Sequence, residues 1–524
     1  MENLEQFLED SNLLQVEDGV CRVPFLVRGE IVAPEPVEKA EIEAAFQARV
    51  AESGKGEREI TYVKMDRVQV VREPVVDREA SRFTGAWFYQ VMPLLSPSQL
   101  CEPDPTRLVS SLYNLPVKEV IAYLAEVGRV FTPEGFLARK GIELSRISSE
   151  LPDDFLRGAI FSIPMLFSEK MAAEMIDNEL SFGGIAGRKF LDGWTKIKTD
   201  AYPGISMVLA NRVSGVSGGL RSFAARAVGW MKFGVTLPED IASIMPAQGY
   251  TIQTRAMPTR QLHVTAGNSP LVPVMSCFRS LITKGYGVIK APYGATIPGA
   301  LLGLALHAAQ PDHPLTRNTS IVYWKGGDRE VEDMLFLPTF FDRLVVWGSP
   351  EAVESIRSRP IWIKPVFFNP RYALSFIGRE AQEDLDGVAA RAATDTMIWN
   401  QKACISSLVH YVEGDEAQAL AYCEALARAL AKWDEKIPNL VPPQLAGQIK
   451  RLKRGKFMTA KWFTNGEGGR PQSHVIYMPG EFNLLDHPFS RTVIVRRLDR
   501  LEDALELLHP AVSAVGVYPE ARRL

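Results

Sequence analysis

Between residues 262 and 358 the chain repeats strand, turn and helix so regularly that few architectures remain open to it. QLHVTAGNSP ends a strand in a Gly-Asn turn, VPVMSCFRSLITKG is helical, and YGVIKAPYG returns to strand. The helical ATIPGALLGLALHAA follows, then the strand TSIVYWKGG, and RLVVWGSPEAVESIRS closes the series as strand, glycine turn and helix. Strands that alternate with helices in this way pair in parallel and carry the helices on their faces, so the fold class is α/β. In such sheets ligands bind beyond the carboxyl ends of the strands, which directs attention to the turns after Val264, Lys290 and Trp347.

The flanking segments read differently. VCRVPFLVRGEIV and ITYVKMDRVQVV carry β-branched, alternating residues on either side of a polar helix, VEKAEIEAAFQARVAES, and predict an N-terminal β-rich extension over residues 1–95. Pro93, Pro97, Pro103 and Pro105 punctuate a connection, after which residues 108–245 read as helical. We therefore expect residues 96–378 to hold a helical region and a nucleotide-binding α/β domain, and residues 379–524 a second α/β domain. The last of these runs strand (SSLVHYVEG), helix (EAQALAYCEALARALAKW) and a strand, helix, strand tail. With 524 residues, a net charge of −3 and 23% charged residues, a general nucleic-acid or anionic-membrane binder is not expected. The acidic start MENLEQFLED lacks the pattern of a secretory signal, and the apolar run over residues 299–309 is too short to span a bilayer. A cytoplasmic location is expected.

Five cysteines, widely spaced and without a Cys-x-x-Cys pair, suggest neither a disulfide framework nor a zinc site. Cys423 falls on the apolar stripe of its helix and Cys277 within another, so both read as packing. Cys404 differs: in IWNQKACISS it follows the Ala-rich helical stretch 386–397 among polar residues, where exposure and a nearby charge such as Lys402 can favour a reactive thiolate. Asn268, in the turn after a strand, can donate toward a developing oxyanion, although Gly and Asn are also ordinary turn formers. Lys290 ends a strand where a cation can meet a ligand, and the Gly348-Ser349 turn opens a helix whose free amides can hold a phosphate. Gly215-Val-Ser217-Gly-Gly219 imitates a nucleophile elbow without a buried strand before it and reads as a glycine-rich loop. The histidines form no metal-binding spacing, so no catalytic metal is expected.

Taken in order, MPTRQLHVTAGNSP, YGVIKAPYGA, VVWGSPEAVESI and WNQKACISS resemble the aldehyde dehydrogenase superfamily, and within it the long-chain acyl-CoA reductases of the LuxC type. The resemblance covers roughly residues 257–518. It implies a Rossmann-type cofactor domain beside an α/β catalytic domain, with Cys404 as nucleophile and Asn268 as oxyanion donor. It further implies Lys290 as the ribose contact and Gly348 with Ser349 as the pyrophosphate turn. The oxidising members carry a glutamate that activates the deacylating water, whereas the corresponding stretch here, 367–378, holds no carboxylate. Transfer between thiols needs no such water, so the resemblance implies reduction of an acyl-CoA or other acyl thioester to the aldehyde. Where NAD-preferring members place a glutamate after the strand-end lysine this chain has Tyr293, which points to NADPH with NADH as a second possibility. An acyl-transferring or acyl-activating partner enzyme and a homo-oligomer are also implied, as is a departure at the tail, which ends soon after Tyr518. The alternatives are an aldehyde dehydrogenase running toward the acid and an acyl-carrying subunit without the redox step.

Overall fold

The computed structural model describes residues 2–182, 184–198, 251–369, 371–441, 443–454, 460–464, 473–484 and 487–523. The glycine-rich loop expected at 215–219 and the later part of the expected helical region lie outside them. Helices at Val117–Val130, Phe136–Ser145, Asp153–Leu166 and Glu169–Glu179 occupy the earlier part, as their apolar spacing predicts, but Thr195–Lys198 within the expected helical region is a strand paired antiparallel with Thr251–Thr254.

The alternating segment forms a parallel array whose neighbours run Lys364–Phe368, Arg343–Trp347, Arg260–Val264, Tyr286–Lys290 and Thr319–Val322. Val288 and Ile289 in the middle are wholly buried, which is why these strands read as continuous apolar runs and not as alternating ones. Helices Leu271–Ile282 and Thr296–Ala309 supply the crossovers. Two further strands complete the sheet from the other end of the chain: Phe25–Val27 pairs antiparallel with Thr319–Val322, and Glu30–Val32 pairs with Phe25–Val27. Part of the expected extension is thus built into the parallel sheet. Gly303 allows this, since a Cβ there would stand 2.8 Å from Leu26 Cβ.

The rest of the N-terminal part makes a five-stranded sheet ordered Val16–Glu17, Val20–Arg22, Arg82–Pro93, Val68–Asp77 and Tyr62–Lys64, backed by the helix Lys39–Ser53. Its longest strand, Arg82–Pro93, lies inside the expected β-rich extension; RFTGAWFYQVMP is aromatic-rich, its later half is buried, and Pro93 ends it. The sheet closes onto the carboxyl ends of the parallel strands. Gln69 Nε2 donates to the Tyr323 carbonyl at 2.8 Å, Tyr293 Oη donates to the Arg72 carbonyl at 3.1 Å, and Thr296 Oγ1 bonds Gln90 Oε1.

The C-terminal part is a six-stranded sheet ordered Lys461–Thr464, His474–Tyr477, Thr492–Leu498, Ser407–Glu413, Tyr372–Ile377 and Val512–Tyr518, parallel except at its first pair. Separate apolar clusters cover its two faces, one of them under the helices Leu385–Met397 and Glu416–Lys436. Sheet membership places Tyr372–Ile377 with this part, a few residues ahead of the division expected from the sequence. Among the described residues no helix is long and apolar enough to cross a membrane.

Candidate active site

The helix Leu385–Met397 does not run on to Cys404. It stops in a left-handed turn in which Trp399, Asn400 and Gln401 have φ of 51°, 53° and 64°. None is glycine, and each such residue costs about 1–3 kcal/mol, so surrounding contacts must hold the turn. The contacts come from a second left-handed run, Phe489, Ser490 and Arg491, with φ of 53°, 52° and 57°. Arg491 is wholly buried, donates from Nε to Asn400 Oδ1 at 2.6 Å, and binds Asp434 Oδ1 at 2.5 Å and the Ile437 carbonyl at 2.7 Å. Asn400 Nδ2 donates to Asn439 Oδ1 at 2.9 Å. Gln401 donates to the Ser407 and Thr492 carbonyls and accepts from the Thr492 amide at 3.0 Å. The turn is therefore pinned from beneath by a buried polar network.

Above this floor Cys404 is exposed, whereas Cys21, Cys101, Cys277 and Cys423 are buried. Burial pushes the Cys101 thiol up to about 11 and the Cys21 thiol up to about 12, and raises Cys277 and Cys423 as well, so these four stay protonated. Ser513 Oγ donates to the Cys404 carbonyl and to the Tyr372 carbonyl, tying the cysteine to the edge strand Val512–Tyr518. Asn268 is exposed and not buried; its Nδ2 donates to the Lys402 carbonyl at 3.1 Å, which brings the amide to the cysteine turn from the other sheet. Lys402 differs from expectation, because its ammonium is paired with Glu150 and is not a free charge beside the thiol. Asn268 and Lys402 form one end of a cavity of about 550 Å³ that runs back between the N-terminal sheet and the Tyr293 turn.

Lys290 and the Gly348-Ser349 turn lie on the carboxyl edge of the parallel sheet. Lys290 is not an open surface lysine: the residue is 5% exposed, and its Nζ stands 5.4 Å and 5.7 Å from the ring centres of Tyr323 and Trp324. Burial lowers its pKa to about 8, partly offset by Glu332. Among the described residues no hydrogen bond engages this ammonium, and such a cation is completed by a hydroxyl-rich or anionic ligand. Ser349 caps the helix Pro350–Arg357 by accepting from the Ala352 amide at 3.3 Å. A Cβ at Gly348 would stand 2.9 Å from that of Ala352, so the turn packs tightly on its own helix. Tyr293 keeps its ring partly exposed while its hydroxyl is held by Arg72. Lys290 and the helix amides behind Gly348 and Ser349 are thus groups that could hold an anionic, hydroxyl-bearing cofactor. Among the described residues no group of three or more His, Cys, Asp or Glu could hold a metal ion.

The sequence reading missed Arg491, Asp434, Asn439, Ser513 and Glu150, which lie far along the chain from the residues they hold. One signal was present: Trp-Asn-Gln between a helix and a cysteine, without glycine, is an unusual way to turn.

Comparison with known proteins agrees with this architecture. The family model described as acyl-CoA reductase (LuxC) matches residues 245–524. A long-chain acyl-protein thioester reductase of Vibrio harveyi is 24% identical over 279 residues, covering 51% of this chain and 55% of that protein. Its counterpart in Photorhabdus laumondii is 27% identical over 273 residues, covering 50% and 53%. The match thus spans about half the length of these relatives. Among solved structures, aldehyde dehydrogenase 21 of Physcomitrella patens, in complex with succinate, superposes with a TM-score of 0.59 at 16% identity over 87% of each chain. Aldehyde dehydrogenase C of Pseudomonas syringae, complexed with NAD+ and octanal, gives 0.59 at 12% identity over 96% of this chain and 90% of that one. At such identities the likeness is one of fold.

Proposed function

The chain belongs to the acyl-CoA reductase (LuxC) family, and from that premise we propose that it reduces a hydrophobic, long-chain acyl thioester to the aldehyde through a thioester on Cys404. The observation that carries the reading is Cys404 itself, the one exposed cysteine of five, raised on a pinned left-handed turn that the Asn268 amide reaches from the opposite sheet.

In this reading the Cys404 thiolate attacks the thioester carbonyl carbon, forming a new C–S bond while the carbonyl electrons move to oxygen. Asn268 has a second amide N–H beside the one bound to the Lys402 carbonyl, and this donates to the oxyanion with the Cys404 backbone N–H. The oxyanion collapses, the original C–S bond breaks, and the donor leaves as a thiolate. Lys290, Gly348, Ser349 and Tyr293 would hold a reduced nicotinamide dinucleotide, NADPH in preference to NADH, which supplies hydride to the acyl carbon. Cys404 and Asn268 then act in reverse: the tetrahedral alkoxide left on Cys404, held by Asn268, re-forms its carbonyl, the Cys404 C–S bond breaks, and aldehyde and free thiolate result.

Hydrolysis competes with this course only if a base activates water. The stretch 367–378 contributes Phe367 and Phe368 where the oxidising relatives contribute a carboxylate, which favours the reductive course. The donor's acyl group is CoA-borne or protein-borne, and an acyl-activating enzyme would supply it. Intact-protein mass spectrometry with decanoyl-CoA tests the reading. A stable acyl adduct is expected on the wild type and on Cys277→Ala and none on Cys404→Ala; an adduct surviving on Cys404→Ala overturns it.

A further inference from the structure

The cavity behind Asn268 and Lys402 is not an apolar tunnel. Leu144, Leu151 and Ile297 line it, but so does Glu73, which is 6% exposed and leaves Oε1 without a partner at hydrogen-bond geometry. Ser148 Oγ donates to the other carboxyl oxygen, and the Ser145 hydroxyl on the same lining is likewise buried and unpartnered. Burial raises the Glu73 pKa, against the opposing Ser148, Gly294 amide and Gln90 contacts. An alkyl chain lying here would leave these atoms unsatisfied, whereas an occupant with amides and hydroxyls would complete them. Glu57 and Glu150 stand on the lining with Arg58 and Lys402, so the wall carries no net positive charge for a pyrophosphate, and of the residues assigned to the cofactor only Tyr293 borders the cavity. The volume of about 550 Å³ suits a single extended arm and not a folded partner segment.

We propose that this cavity seats the pantetheine arm of the acyl donor, with Glu73 and Ser145 reading its amides and hydroxyl while the thioester carbonyl reaches Asn268. The assignment rests on the function proposed above and places the leaving-group side of the thioester, and not the acyl chain, between the N-terminal sheet and the Tyr293 turn. The arm is common to CoA and to acyl carrier proteins.

The test compares kcat/KM for decanoyl-pantetheine with that for the ethanethiol ester of the same acid in the wild type, Glu73→Leu and Glu73→Gln. The pantetheine-to-ethyl ratio should fall about tenfold in Glu73→Leu and recover to within about threefold in Glu73→Gln. Decanoyl-CoA and decanoyl carrier protein should both follow decanoyl-pantetheine. If Glu73→Leu does not fold, Ser145→Ala carries the same comparison. An unchanged ratio, a change only in acyl-length preference, a change only in NADPH affinity, or an equal loss with a donor acylated on a protein cysteine would each overturn the assignment. Failure of the underlying reading looks different: no donor would form a Cys404 adduct.

Discussion

Replacing Arg491 by Lys separates what the buried arginine does for stability from what it does for the cysteine turn. The guanidinium serves Asp434, the Ile437 carbonyl and Asn400 at once, at 2.5, 2.7 and 2.6 Å. An ammonium is a point charge and can keep Asp434 but cannot bridge all three. Asp434 has a side chain only 10% exposed, so Arg491→Met, which strands it, should destabilise the C-terminal part by about 3–5 kcal/mol. For a unit of that size the unfolding midpoint should drop by about 10 °C. Arg491→Lys should keep most of that stability. The turn is another matter: Asn439, Ser407 and Thr492 still hold Asn400 and Gln401, but with Asn400 Oδ1 released one of the contacts that offset a left-handed cost of about 1–3 kcal/mol per residue is gone. The rate of Cys404 alkylation by iodoacetamide in Arg491→Lys should therefore fall about tenfold, as one such contact is lost, with the midpoint nearly unchanged. Asn400→Ala should show the same slow alkylation, and the double variant should be no slower than either single one. If Arg491→Lys loses stability while Cys404 alkylates at the wild-type rate, the turn does not depend on this network.

Three further predictions follow the same logic. Asn268→Ala should lower kcat by about 10²-fold with little change in NADPH affinity, and a pure cofactor-binding defect in steady-state kinetics would contradict an oxyanion role. Tyr293→Glu should shift the NADPH-to-NADH ratio of kcat/KM toward NADH, because a carboxylate there repels a 2′-phosphate; an unchanged ratio would place the ribose elsewhere. His263, His410 and His487 are buried neutral, with pKa lowered by burial to about 3, 3 and 4. The unfolded chain takes up those protons first, so stability is full above the ordinary histidine range and falls as pH drops from about 6.5 toward 4. Each such histidine contributes up to about 1.4 kcal/mol per pH unit in that window. Urea unfolding at pH 7.5 and 5.5 measures this, and equal midpoints would exclude it.

The parallel sheet was legible because its strands are buried on both faces and its turns are marked by Gly, Asn and Pro within a few residues of each strand end. Cys404 and Asn268 stood out for the same local reason. What could not be read was set by contacts across long separations. Lys290 looks like a solvated strand-end lysine until Tyr323 and Trp324 are folded over it under the N-terminal sheet. Lys402 looks like a free charge until Glu150 reaches it, and Arg491 like an ordinary strand-edge arginine until Asn400 does.

The pairing of Phe25–Val27 with Thr319–Val322 bears on how the protein is made. The Arg28 amide donates to Ser320 Oγ across 292 residues, so the first strands leave the ribosome long before the edge they complete exists. At about 5–20 residues per second, that interval lasts about fifteen to sixty seconds. Throughout it FLV can pair only with Glu30–Val32, and its other edge is open to a chaperone or to a neighbouring nascent chain. Final closure of the sheet is then a late, non-local event, and its rate should set when the chain becomes resistant to proteolysis.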